Sequence, residues 1–212
     1  MLLALLSAIA APASSEGLPP SSDVELAFFG CLRADLDIDA VVDDLEALGW
    51  LDTPPERLGE RAFRALAAKQ MVNYVAMQEP NASWAGTWEA QMEMARAHGR
   101  RAAMADRRFL THPRNRSFVD VSSTTYAGET TVRCEIVADP DSLGPAMRGS
   151  VLGGPMRPGE PPVAMRNNTD MSTADETVTI SSIALDGPTI SEATGAPFPF
   201  AGIISVWRRA PD

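Results

Sequence analysis

Apolar positions along the first half of the chain recur at helical spacing. Val24, Ala27, Phe28, Cys31 and Leu32 follow the i, i+3, i+4, i+7, i+8 pattern of one buried stripe. Ser22 and Glu25 have the form of a capping box at the start of that helix. A second helix is expected from Asp39 to Leu48, with Ile38, Val41, Val42, Leu45 and Leu48 inward and Asp37 or Asp39 as its cap. Gly49 suits the left-handed residue that closes such a helix, and Trp50 the hydrophobic contact that accompanies it.

Thr53-Pro54-Pro55-Glu56 combines a capping pair with first-turn prolines, so a third helix is expected to begin there. Its face continues through Leu58, Ala62, Phe63 and Leu66 and on through Gln70, Tyr74 and Met77. Trp84, Trp88, Met92 and Ala95 place a fourth helix before Gly99, and Arg100 to Leu110 reads as a short further one stopped by His112-Pro113.

From Arg116 the period changes to two. Strands are expected at Phe118–Thr124 and Thr130–Val137, joined by a turn over Tyr126–Glu129. Two more follow at Thr177–Leu185 and Ile203–Trp207. Asp139 to Asn168 is rich in Pro and Gly without periodicity, and reads as a long surface loop. Helices first and hairpin-linked strands afterwards predict an α+β fold, with N-terminal helices packed on one face of a roughly four-stranded antiparallel sheet.

The first residues change the compartment. Leu2 to Ala10 is an apolar run too short to span a bilayer, and Ala11-Pro12-Ala13 has the form of a signal-peptidase site. Residues 1–13 read as a signal peptide, 14–22 as a linker and 23–212 as one domain. The expected location is periplasmic or secreted, with no transmembrane segment in the mature chain. In an oxidising compartment the two cysteines, Cys31 and Cys134, are candidates for a disulfide. Two buried thiols would fit the same inward positions.

Charge excludes one class of partner: at a net -10 the chain lacks the basic footprint of a nucleic-acid binder. Lys69 is the single lysine among 18 basic residues. Seven arginines between Arg96 and Arg116 face one acid, Asp106. Arg100, Arg101, Arg107, Arg108, Arg114 and Arg116 are therefore candidates for binding a small anionic ligand through bidentate guanidinium forks. The competing expectation is that they pair with the acidic helices of the same domain.

No nucleophile elbow, zinc spacing or phosphate loop occurs, and no cofactor is expected. The expected role is non-catalytic, as an exported binding or interaction module for a protein or a small anion. An enzyme with His98 or His112 as general base and the Asp139–Asn168 loop as lid is the alternative. A copper site from Met94 and His98, one helical turn apart, is a third.

Overall fold

A computed structural model of the chain describes residues 22–33, 36–76, 78–99, 106–145, 147–154, 156–173 and 176–210. The expected leader and linker lie outside these residues, save Ser22. Helices α1 (Asp23–Arg33) and α2 (Ile38–Ala47) form as their pattern requires. At α1 the capping box closes, with Glu25 N–H donating to Ser22 Oγ at 3.1 Å and Ser22 N–H to Glu25 Oε2 at 3.4 Å. Asp37 caps α2 by accepting from Asp39 N–H at 2.9 Å. Gly49 (φ 91°) is left-handed, and Trp50 N–H reaches back to Leu45 O at 3.1 Å. This is the Schellman geometry that frees only glycine of a Cβ penalty.

The third helix starts later than expected. Thr53 lies beside the edge strand β1 (Leu51–Asp52) and its hydroxyl bonds Thr111 Oγ1 at 2.9 Å, so it caps nothing. Pro55–Arg57 make a single 3-10 turn, and α3 (Glu60–Val75) follows. Alanines at 62, 65, 67 and 68 let α3 be buried around most of its girth, while Tyr74 is exposed. The expected inward face through Tyr74 is thereby corrected. Helix α4 (Ser83–Gly99) buries Trp84, Trp88, Met92 and Ala95 as their spacing predicts.

The sheet is larger than expected. Strands β2 (Arg107–Thr111), β3 (Phe118–Tyr126), β4 (Glu129–Ala138), β5 (Val163–Ser172), β6 (Thr177–Leu185) and β7 (Gly202–Arg209) join β1 in one seven-stranded sheet, ordered β1-β2-β3-β4-β7-β6-β5. Every described pairing is antiparallel. Three corrections follow. Residues 107–110 are strand, because Arg-Arg-Phe-Leu-Thr alternates between two buried faces and gains a ladder with β3. The expected loop stops at 162, since β5 adds to β6 as an edge. The interval after β6 contains helix α5 (Gly187–Thr194), capped by Asp186 and closed by left-handed Gly195 (φ 66°).

Helices cover both faces, not one. On one side α1 and α2 pack on Leu110, Val119, Val121, Ile136, Ile204 and Val206. On the other, α3, α4 and α5 pack on Phe109, Phe118, Val137, Leu185 and Ile203. The physical reason is visible in adjacent apolar pairs: Phe109-Leu110, Phe118-Val119, Ile136-Val137 and Ile203-Ile204 send one side chain to each core. Cys31 and Cys134 are joined as a disulfide with Cα atoms 6.1 Å apart, which fastens α1 to the centre of the sheet. Among the described residues no helix is long and apolar enough to cross a membrane.

Candidate functional site

The four candidate arginines among the described residues are not brought together. Arg100 and Arg101 lie outside the described residues. Arg107 and Arg108 are neighbours on β2 and so point to opposite faces. Arg108 reaches Asp39 at 3.1 Å on the α2 side. Arg114 bonds Asp23 Oδ1 at 3.0 Å beside α1. Arg116 lines a shallow hollow with Arg61, Pro197 and Pro199. Pairing with the acids of α1 and α2 accounts for Arg108 and Arg114.

Arg107 belongs to a different constellation. It is bidentate on Asp120, Nε to Oδ1 at 2.8 Å and Nη2 to Oδ2 at 2.6 Å. Asp120 and Glu135 stand directly opposite in the β3–β4 ladder, on the face covered by α3. Lys69 comes down from α3 and donates its ammonium to both carboxylates, to Glu135 Oε2 at 2.5 Å. Arg133 closes the row by donating to Glu135 Oε1. Two acids, 2 % and 5 % exposed, are thus held by three cations. Burial opposes ionisation of Asp120, but the Lys69 charge and the Arg107 fork outweigh it and hold its carboxyl below the usual range. Hydrogen bonds to Asp120 in turn keep Arg107 firmly protonated.

Beyond this row the same sheet face opens. The Arg133 guanidinium lies 4.1 Å from the ring centre of Trp207, its cross-strand neighbour. The same indole borders a groove of about 630 Å³, walled with it by Thr124, Thr131, Thr177, Thr179 and Asp170. Two registers build it. Thr124, Thr131, Arg209 and Thr177 succeed one another across β3, β4, β7 and β6, and Trp207, Thr179 and Asp170 do so across β7, β6 and β5. Thr179 Oγ1 donates to Asp170 Oδ1 at 2.6 Å. Trp207 is 41 % exposed, whereas Trp50, Trp84 and Trp88 are buried.

A smaller hollow of about 200 Å³ lies between the π-helical turn Met147–Val151 and the end of β6, lined by Leu143, Arg148, Leu152, Met156 and Leu185. The 139–162 segment that shapes it is anchored. Asp139 accepts from Arg116 N–H at 2.9 Å, Ser142 and Ser117 share a hydroxyl contact at 2.6 Å, and Leu143, Met147 and Leu152 are buried in the α1/α2 core.

His112 sits away from the groove. It is 2 % exposed, packs edge-on against Trp50 at 5.2 Å, and its Nδ1 meets Asn115 Nδ2 at 2.9 Å. Burial lowers its pKa despite the nearby Asp23 carboxylate. Met94 is half-buried, and the His98 side chain lies outside what is described. Among the described residues no three His, Cys, Asp or Glu side chains group in a way that could hold a metal.

Sequence reasoning passed over Trp207, the threonine rows and the Lys69 cluster. Signals existed: an acid flanked by apolar residues in Phe118-Val119-Asp120-Val121, another in Cys134-Glu135-Ile136, and a lone lysine in an arginine-rich chain. The threonines stayed silent, because alternation says which residues share a face and not which end of a sheet lacks a helix above it.

Comparison with protein-family models, with curated proteins and with solved structures found no match in any of the three.

Proposed function

We propose that this chain is an exported, non-catalytic binding protein whose contact surface is the open groove beside Trp207. One observation carries the reading. A half-exposed indole, with the Arg133 guanidinium stacked on it, borders a polar groove of about 630 Å³ on the sheet face that α3, α4 and α5 cover elsewhere. That volume lies within the range of small-molecule sites, roughly 300–1,000 Å³. The indole adds a large apolar contact with few rotatable bonds to lose.

Binding is favoured over turnover by the state of the buried acids on the same sheet face. Asp120 is held ionised and Lys69 with Arg107 occupies both its oxygens, so it lacks the raised pKa and the free lone pairs of a working acid or base. His112, the general base of the alternative reading, is buried on the opposite side of the sheet core against Trp50. Export is supported by the Cys31–Cys134 bond together with the leader pattern of residues 1–13.

Indole N–H resonances of the isotope-labelled protein test the groove. They are recorded with and without the small-molecule filtrate of the compartment from which the protein is purified. Trp207 should move while Trp50, Trp84 and Trp88 stay. A filtrate that leaves Trp207 unmoved ends the reading.

A further inference from the structure

Three of the cations around the groove are already engaged. Arg107 is spent on Asp120 and Arg133 on Glu135, and Arg208 donates to Glu176 through Nε at 2.8 Å and Nη2 at 2.7 Å. Arg209 remains on the groove wall, which Asp170 also lines. An anion is recognised by converging cationic donors, and here Arg107, Arg133 and Arg208 each already hold a carboxylate.

What converges instead is hydroxyl. Thr124, Thr131, Thr177 and Thr179 line the groove, and a hydroxyl both donates and accepts. Their complement is a ligand whose own groups do both. Asp170 adds acceptor oxygens, one of them already shared with Thr179, and Arg209 adds donors. Trp207 contributes an aromatic face. Arg133 lies against the indole and is not part of the groove lining, whereas Trp207 is. An aromatic face is electron-rich, and the C–H groups of a sugar ring, flanked by oxygens, are electron-poor.

We infer that the groove binds a saccharide, with one pyranose ring laid on Trp207 and its hydroxyls bonded to Thr179, Asp170 and Thr131. This assignment rests on the groove being the contact surface, and it adds the ligand class. Ring stacking supplies the contact area and the polar wall reads the hydroxyl pattern. No charge on the sugar is required.

The full chain, labelled with nitrogen-15, gives four indole N–H resonances, one for each tryptophan. The Trp207 signal is assigned by its absence in Trp207→Phe. Cellotetraose, chitotetraose and tetragalacturonate are titrated separately, with inorganic phosphate and citrate as anionic probes. At least one saccharide should move Trp207 saturably without moving the three buried indoles. Thr179→Val should weaken that saccharide and Trp207→Ala should weaken it by about tenfold or more, both with unchanged unfolding midpoints. Movement by phosphate or citrate alone overturns the saccharide and leaves the groove as the contact surface. Movement by none of the five overturns the saccharide, and the filtrate experiment then decides the groove independently.

Discussion

Replacing Lys69 by methionine removes the one ammonium that faces both Asp120 and Glu135. Methionine keeps most of the stem's volume, so the change is chiefly in charge. The two carboxylates are direct partners in the β3–β4 ladder, where opposed Cβ atoms are about 4.5–5.5 Å apart. Each keeps one arginine, Arg107 or Arg133, at its outer side. Removing one partner of a buried ion pair costs roughly 3–5 kcal/mol, because the charge left behind stays desolvated. The retained arginines place this case at the lower end, about 3 kcal/mol. Urea unfolding at neutral pH with the disulfide intact measures it as a lower midpoint at unchanged slope. The triple variant Lys69→Met/Asp120→Asn/Glu135→Gln should regain part of the loss, since Arg107 and Arg133 are 30 % and 37 % exposed and can turn to water. The acid side carries the same logic. Asp120 has a folded pKa below its unfolded value of about 3.9, so its contribution is present above that pH and disappears as pH falls through the lower folded value. Without Lys69 that folded pKa rises and the loss begins at higher pH. A cost under about 1 kcal/mol with an unshifted acid limb would refute the reasoning, because the carboxylates would then have to be solvated.

Three further outcomes follow from the same structure. Cys31→Ala/Cys134→Ala opens a link spanning 103 residues and should lower stability by up to about 4.7 kcal/mol in the loop-entropy model, read from urea midpoints against the oxidised protein. Gly187→Ala would put a Cβ 2.8 Å from Phe198 O and 3.0 Å from Phe200 O. It should cost about 1–3 kcal/mol, whereas Gly86→Ala, with open space around it, should not destabilise. His112 has a folded pKa lowered by burial, so the unfolded chain takes up the proton first. Stability should therefore fall as pH drops below about 6.5, and His112→Gln should flatten that limb of the pH–stability curve.

Local grammar was legible where a short stretch carries its own reasons. The Ser22–Glu25 box, the Asp37 cap and the Gly49–Trp50 ending of α2 all form with the expected partners. So does the two-residue hairpin at Ala127-Gly128, where both residues take positive φ. What was illegible depends on partners distant in sequence. Arg107–Thr111 is strand because β3 offers a ladder, although its arginines suit a helix equally well. Strand β5 carries polar Asn167 to Asp170 on an edge, where β6 supplies the pairing and little apolar alternation is needed. Helix α5 carries its own cap in Asp186 and its stop in Gly195, yet its eight residues are too few for periodicity to show. The disulfide was legible from the inward positions of Cys31 and Cys134 together with the expected oxidising compartment, since the positions suit two thiols equally well. The groove was not, because it depends on which side chains of β3, β4, β7 and β6 come into register where no described helix lies over them.

The most direct test of the central claim is the intact mass of protein purified from its native compartment, measured under native conditions for the wild type and for Trp207→Ala. The wild type should begin after Ala13, be two hydrogens light until reduced, and carry an adduct that is lost on denaturation. Trp207→Ala should show the same mature chain without the adduct. A full-length mass with two free thiols would contradict export, and an adduct that survives Trp207→Ala undiminished would contradict the groove.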